Sequence, residues 1–261
     1  MTETATLEDR CARLRSLHVP GDPLVLPNAG DVASARVVAA AGFPVVATTS
    51  GGVAAALGYE DQERAPSDEM FAAAARISRS VEVPVTIDAE AGYGLASADL
   101  VAALAAAGAA GCNLEDTNHA TGSLRDAERH ASWLRSVREA ATATGYGLVV
   151  NARIDVFLTR NGDRPQGELV PEALRRAHAY LQAGADCVYP IMLADAAAVA
   201  AFVSEAGGPV NVLATPRAPS LAELADIGVA RVSYGSLLHR ETMEQFARSL
   251  AALAGGAAAR G

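Results

Sequence analysis

The chain has 261 residues, 51% hydrophobic and 20% charged, with a formal net charge of −9. This length and composition suit one large α/β core and exclude a disordered chain. The acidic balance argues against a nucleic-acid partner, which needs a clustered basic surface, but permits an anionic substrate, because a local arginine or metal overrides the global sign. From the N-terminus, "MTETATLEDRCARL" is acidic and has no apolar signal core; residues 1–20 read as a helical lead-in. Cys11, Cys112 and Cys187 are odd in number and widely spaced, which excludes a disulfide framework and a zinc site. No apolar run approaches the roughly 20 residues a membrane helix needs. The expectation is a cytoplasmic protein with no membrane partner.

Short apolar runs then alternate with alanine-rich helical stretches. The strand candidates are "PLVLPN" (23–28), "PVVATT" (44–49), "PVTID" (84–88), "GCNLED" (111–116), "GLVVNARID" (147–155), "DCVYPIM" (186–192), "PVNVLAT" (209–215) and "ARVSYG" (230–235). Helical spacing marks 31–42, 97–108, 124–145, 171–184 and 220–228, often closed by glycine, with Ser97 and Ser220 as N-cap candidates. The strands are apolar on both faces, as parallel strands covered by helices are. Eight βα units in one chain fit a single (β/α)8 TIM-type barrel, an open doubly wound sheet being the runner-up. No linker divides residues 1–261, which read as one domain with a tail over 250–261.

A barrel of this kind carries its chemistry where the strands end. The third strand candidate ends in Asp88 and Glu90, the fourth in Glu115 and Asp116, the fifth in Asn151, Arg153 and Asp155. Residues two apart on a strand face the same side, so the acids converge at one mouth. Converging oxygens with no histidine or cysteine among them select a hard cation, Mg²⁺ first and Mn²⁺ second. Arg153 adds a planar fork for a carboxylate or phosphate. "TTSGG" after the second strand offers successive backbone amides as an oxyanion cradle. Together these describe a site for a small oxyacid that reacts through an enolate.

The set "LPNAGDVASAR", "ATTSGGVAAALGYED", "VPVTIDAEAGYG", "GCNLED", "VVNARIDVFL", "AGADCVYPIM" and "SLAELADIGVARVSYGSLLHR" resembles the isocitrate lyase/phosphoenolpyruvate mutase superfamily, over about residues 24 to 245. The resemblance implies a (β/α)8 barrel, an oligomer (dimer or tetramer) often with its last helix exchanged between subunits, and Mg²⁺-dependent chemistry beside a 2-oxo acid. It implies Asp88 as the direct metal ligand, with Glu90, Asp61 and Glu115 around the metal's water. It also implies Arg153 as the grip on the substrate and Thr49, Ser50, Gly51 and Gly52 as the loop whose amides bind the oxo-acid.

The sequence also departs from the family. The lyases' "KRCGH" loop, whose cysteine acts as the acid, is replaced by "DTNHATGSLRD", and Cys112 lies inside the strand, where it reads as core. The same loop looks shorter than the mutases' gating loop. Ile191 stands where relatives often carry a polar residue, and Gly30 where many carry tryptophan, which leaves room at the pocket mouth. Asn118, His119 and Thr121 are the candidates in that loop for proton transfer or closure; for His119 a solvated loop position is the equal alternative. Asn28 reads as a substrate contact or an Asx-turn residue, Tyr93 as pocket lining or packing, Asp116 and Asp155 as braces for Arg153 or helix caps. His18, His130, His178 and His239 read as surface or satisfied core.

The function expected is a Mg²⁺-dependent lyase acting on a 2-oxo or 2-hydroxy carboxylate, by C–C cleavage or decarboxylation. The alternatives are a P–C bond enzyme, such as a phosphoenolpyruvate mutase or phosphonopyruvate hydrolase, and a non-catalytic 2-oxo acid binding protein.

Overall fold

The structure, a computed structural model, describes residues 5–158 and 164–258. Each of the eight predicted strand segments forms a strand, trimmed at its ends. In chain order they are β1 (Leu24–Leu26) continuing as β2 (Asn28–Ala29), β3 (Val46–Thr48), β4 (Val85–Asp88) and β5 (Gly111–Glu115). A small hairpin of β6 (Thr117–Asn118) and β7 (Ser123–Leu124) follows, then β8 (Val149–Ile154), β9 (Cys187–Pro190), β10 (Asn211–Leu213) and β11 (Arg231–Ser233).

The first predicted strand is split at Pro27, and the split closes the barrel. β1 pairs with the last strand, Val25 opposite Val232, while β2 pairs with β3, Asn28 opposite Ala47. From there the parallel order runs β2-β3-β4-β5-β8-β9. The remaining seam, between β9 and β10, is a single bridge, Val188 to Val210, with the Val188 amide donating to the Pro209 carbonyl at 3.0 Å. A ring of parallel strands rules out the open sheet considered above.

Ten α-helices lie among the described residues: α1 (Leu7–Ser16), α2 (Val32–Ala40), α3 (Ser50–Leu57), α4 (Ser67–Ser78), α5 (Ser97–Ala106), α6 (Ala127–Ala143), α7 (Gln166–Gln182), α8 (Ala196–Glu205), α9 (Leu221–Ile227) and α10 (Leu237–Ala258). The surplus over eight comes from the lead-in α1 and from two helices after β3. Ser220 caps α9 in a reciprocal box with Glu223, as expected. Ser97 does not cap α5: it is already helical, and Ala96 precedes it with no side-chain bond. α7 begins five residues before the predicted start and carries Pro171 inside. The predicted tail is largely the end of α10; residues 259–261 lie outside the described set.

α1 shuts the lower end of the barrel. A Cβ on Gly111 would lie 2.7 Å from Leu14 Cδ2 and from the Val149 carbonyl, so the bare backbone at 111 lets the lead-in helix seat. Asp186, at the foot of β9, ties three segments together. It accepts from Arg15 Nε at 2.8 Å, Arg138 Nη2 at 2.5 Å and the Val150 amide at 2.8 Å.

Outside the barrel, α6 packs on α7 around His130. Its ring is buried 5.3 Å from Trp133 and 5.0 Å from Tyr180, and neither ring nitrogen has a hydrogen-bond partner. Burial holds its pKa down near 3, with the charges of Arg125 and Arg176 adding to the effect. A histidine neutral in the fold and protonated when unfolded stabilises fully above about pH 6.5 and loses that contribution as pH falls toward the folded value. The His130→Phe variant should therefore gain on wild type by about 2 kcal/mol between pH 7 and pH 5. Urea unfolding at both pH values measures this; a stability difference that does not change with pH would refute it.

Candidate active site

The upper ends of β3, β4, β5 and β8 open into a cavity of about 720 Å³. Ser50, Asp61, Glu90, Glu115, His119, Thr121 and Arg153 line it, with Gln62, Thr117, Gly122, Ser123, Leu124, Asp155 and Leu158. A groove of similar size, about 670 Å³, lies on the outer face of the barrel between α7 and α8. None of the predicted site residues reaches it, so the chemistry belongs to the barrel mouth.

Asp88 ends β4. Its Oδ2 accepts the Ser50 amide at 3.2 Å, its own amide donates to Thr48 Oγ1 at 2.9 Å, and Oδ1 is buried with no hydrogen-bond partner. Glu90 is 3% exposed, and both its oxygens are in use. Oε2 takes the Glu63 amide at 2.6 Å and Oε1 takes the Tyr93 hydroxyl at 2.6 Å. Burial pushes its pKa up to about 8; the Tyr93 bond works against this, and Asp88, Asp61 and Glu115 reinforce it. Tyr93 therefore packs beside the acids and braces one of them, and it does not line the main cavity. Asp61 stands exposed on the rim.

Glu115 and Arg153 face each other from neighbouring strands, in register in the β5–β8 pairing, and form an ion pair through Arg153 Nη1. Asp155 takes the other edge of the guanidinium, Nε at 2.7 Å and Nη2 at 3.0 Å, and also accepts the Thr117 hydroxyl. Three of the five guanidinium N–H donors are spent in this way, leaving one on each terminal nitrogen. Burial lifts the Glu115 carboxyl above the usual carboxylate range, and Arg153 pulls it back. Asp155 is thus the brace for Arg153. Asp116 faces outward: its Oδ2 accepts from Arg176 at 2.9 Å and the Tyr180 hydroxyl at 2.7 Å, and its Oδ1 from the Asp155 amide at 2.9 Å.

The loop "DTNHATGSLRD" is an ordered hairpin that walls the cavity. Thr117 pairs with Leu124 and Asn118 with Ser123. His119 projects inward, with Nε2 2.6 Å from Glu115 Oε1 and 3.9 Å from Glu90 Oε2. Burial lowers the His119 pKa, but the contact with Glu115 and the charges of Glu63 and Glu90 outweigh it, so the net direction is upward. The solvated-loop alternative for His119 does not hold. Thr121 lines the cavity and shares a hydrogen bond with Ser123 at 2.7 Å. Asn118 is turned to structure: its Oδ1 accepts the Ala120 amide at 3.0 Å and it is not part of the lining.

The segment expected as a cradle loop, Thr49 to Gly52, is the first turn of α3, with Thr49 as N-cap. The amides are therefore presented by a helix N-terminus, which favours negative charge. Thr49 itself is buried, its hydroxyl 2.7 Å from Ser236 Oγ. Gly51 lets two side chains come close: a Cβ there would lie 2.9 Å from Asp61 Oδ2 and from Ser236 Oγ, and both would have to turn aside. Gly30 does not leave the mouth roomier, because a Cβ at 30 would meet the Gly52 backbone at 3.0 Å. Asn28 is a clamp between strands: its amide donates to the Thr48 carbonyl at 2.8 Å and its Oδ1 accepts the Tyr234 amide at 2.9 Å. Cys112 is buried, and burial pushes its thiol up to about 12, so it stays protonated as a core residue.

Among the described residues no three His, Cys, Asp or Glu side chains gather into a ready-made metal cage. Mg²⁺ does not need one, since it keeps several waters and takes one or two carboxylates. The orphaned Asp88 Oδ1 fits a single direct ligand. Glu90 and Glu115, engaged by protein partners, and Asp61 on the rim fit acceptors of the metal's water. Sequence reasoning missed Glu63, Thr117, Arg176, Tyr180 and Ser236. Glu63 and Thr117 stand close to Asp61 and Asp116 with no pattern to mark their contacts, and Arg176, Tyr180 and Ser236 lie far from the acids in sequence.

A site at the strand ends of a (β/α)8 barrel, with clustered acids around one arginine, defines a class of barrel enzyme. The phosphoenolpyruvate phosphomutase family model matches residues 14–254. The 2-methylisocitrate lyase of Salmonella typhimurium (strain LT2) is 30% identical over 212 residues, 75% of this chain and 70% of that one. A crystal structure from Burkholderia cenocepacia J2315 is 41% identical, with a TM-score of 0.87, covering 93% of this chain and 99% of that chain. A 2,3-dimethylmalate lyase structure is 25% identical, with a TM-score of 0.80, covering 96% and 88%. The chain belongs to the isocitrate lyase/phosphoenolpyruvate mutase superfamily, a superfamily of lyases and mutases.

Proposed function

We propose that the protein is a Mg²⁺-dependent lyase that acts on a small 2-oxo or 2-hydroxy carboxylate through an enolate, by C–C cleavage or decarboxylation. The observation that carries this reading is an orphaned carboxylate oxygen on Asp88, beside the cavity-lining Ser50, next to a mouth that holds a braced arginine and an inward histidine. Bound Mg²⁺ would supply a fixed charge that polarises the substrate's carbonyl. Arg153 grips the substrate carboxylate with its two unspent N–H donors. The first amides of α3 steady negative charge developing near them. His119, held against Glu115, is placed to pass a proton to or from the reacting carbon. The hairpin wall with Leu124, together with Leu158 after β8, limits water around that carbon. Names of relatives extend the substrate candidates to 2-methylisocitrate-like and 2,3-dimethylmalate-like acids.

The Asp88→Asn variant should lose Mg²⁺ binding by calorimetry, and with it turnover, while melting as wild type does, because it removes the charge and keeps the shape. Wild-type Mg²⁺ affinity in that variant would sink the metal assignment. Arg153→Lys should raise KM by roughly tenfold or more, since a point charge cannot reproduce a forked grip. Steady-state kinetics across a panel of 2-oxo and 2-hydroxy acids, with phosphonopyruvate included, provides the comparison. Turnover of phosphonopyruvate alone would move the reading to P–C chemistry.

The same proposal takes the protein as a cytoplasmic homo-oligomer, a dimer or tetramer. Residues 240–254 of α10 are exposed all round in one chain. Met243, Phe246, Leu250 and Leu253 form an apolar stripe along α10, 48%, 58%, 49% and 71% exposed. A helix with an uncovered stripe needs a neighbour to bury it, and an exchanged last helix supplies one. Light scattering should give a mass of two or four chains, and Phe246→Glu should lower it; a wild-type monomer would refute the assignment.

A further inference from the structure

Arg176 stands outside the barrel, on α7, yet it is 6% exposed. Its Nη1 reaches three acceptors at once: Asp116 Oδ2 at 2.9 Å, the Arg125 carbonyl at 3.0 Å and the Tyr180 hydroxyl at 3.2 Å. Its Nε holds Glu172 at 2.7 Å. Asp116 and Arg125 are the two residues that flank the hairpin of β6 and β7, and they are tied to each other by the Arg125 amide on the Asp116 carbonyl at 2.7 Å. One guanidinium therefore pins both legs of the hairpin at its neck.

The other side of Asp116 leads to the cavity. Its Oδ1 accepts the Asp155 amide, and Asp155 grips Arg153 along one edge while accepting the Thr117 hydroxyl from the hairpin's first strand. The path is Arg176, Asp116, Asp155, Arg153, with the hairpin and its His119 hung from the same node. Asp116 is fully buried; burial and the nearby Asp155 raise its carboxyl pKa, and Arg176 and the Tyr180 hydroxyl act against that rise.

We propose that Arg176 is a positioning residue for the reaction: it fixes the hairpin as a standing wall and, through Asp116 and Asp155, fixes the direction of the Arg153 guanidinium. It touches no substrate. It acts by setting His119 and Arg153 in one frame, so that the proton-transfer group and the carboxylate grip keep a constant separation. The kinetic part of this proposal rests on the lyase reading above; the structural part does not.

The test uses full-length Arg176→Lys, whose compact ammonium keeps the charge but cannot span three acceptors and Glu172 together. Tyr180→Phe, which deletes one donor to Asp116, is the milder second variant should the first fold poorly. Hydrogen exchange followed by mass spectrometry should show the 117–125 amides exchanging roughly tenfold faster, with the amides of β4 and β8 unchanged. For an acid the wild type turns over, KM should rise with the exchange rate across the two variants, and Arg176→Lys should be the worse. Exchange that is unchanged over 117–125, or that rises equally throughout the barrel, would overturn the proposal and leave Arg176 a pillar of the core. If no acid in the panel is turned over by wild type, the lyase reading fails by itself, and the exchange result still decides the role of Arg176.

Discussion

The rest of the site depends on how a surplus of buried negative charge is held at one end of the barrel. Glu90, Glu115 and Asp155 line the same mouth with the Arg153 guanidinium among them, and Asp88 lies beside them against a small neighbouring pocket with Thr48 and Tyr93. Carboxylates this close, taken out of water, repel and lose hydration, and one arginine offsets only part of that. The raised pKa of Glu90 is the visible cost. The chain meets it by giving each acid a specific donor: the Ser50 amide to Asp88, the Glu63 amide and Tyr93 hydroxyl to Glu90, Arg153 to Glu115 and Asp155. Asp88 Oδ1 is left without a donor, and the proposed hard cation would complete the site there.

Those donors come at a backbone cost, and the cost is local. Gln62, Glu63, Glu90 and Tyr93 all have positive φ, at 72°, 57°, 47° and 54°. Non-glycine residues there carry about 1–3 kcal/mol of strain each and persist only where the surroundings over-determine them. Here two loops lock each other. The Glu63 amide donates to Glu90, and the Tyr93 amide donates to Glu63. Two of the strained residues, Glu63 and Tyr93, turn their amides onto acids, which ties part of the strain to the charge it satisfies.

The parts of this arrangement that were legible in the sequence follow strict periods. Eight apolar runs gave the barrel, and the acids at the ends of neighbouring runs gave the mouth. The spacing of two does not place Glu90 and Asp155, because β4 ends at Asp88 and β8 at Ile154, Glu90 sits in a turn at φ 47° and Asp155 opens a 3-10 helix. The hairpin was not legible, because its two-residue strands are too short to show an alternation. The helical start at Ser50 was hidden by Gly51 and Gly52, poor helix formers kept there by the close approach of Asp61, Ser236 and Gly30. Asn28 reads in the sequence as a substrate contact or an Asx-turn residue, and the split at Pro27 makes it the staple between β3 and the turn after β11. Arg176 lies 60 residues from Asp116, and no local pattern could announce that contact.

The hairpin also bears on the choice between an enzyme and a passive binder of oxo-acids. A binder needs the charge complement and a way in; it has no use for a proton carrier held against a carboxylate. In this chain the wall that narrows the cavity is the element that brings His119 to 2.6 Å from Glu115, while the buried thiol of Cys112 is kept protonated and out of reach. The loop lacks the cysteine by which the lyases of the resemblance protonate their product, and a histidine projects from the same connection. A carboxylate partner lifts an imidazole toward the charged form, the form that can donate a proton. Under the proposed function, a histidine mounted on this hairpin would transfer its proton from a fixed geometry, which a transfer between short-range partners rewards.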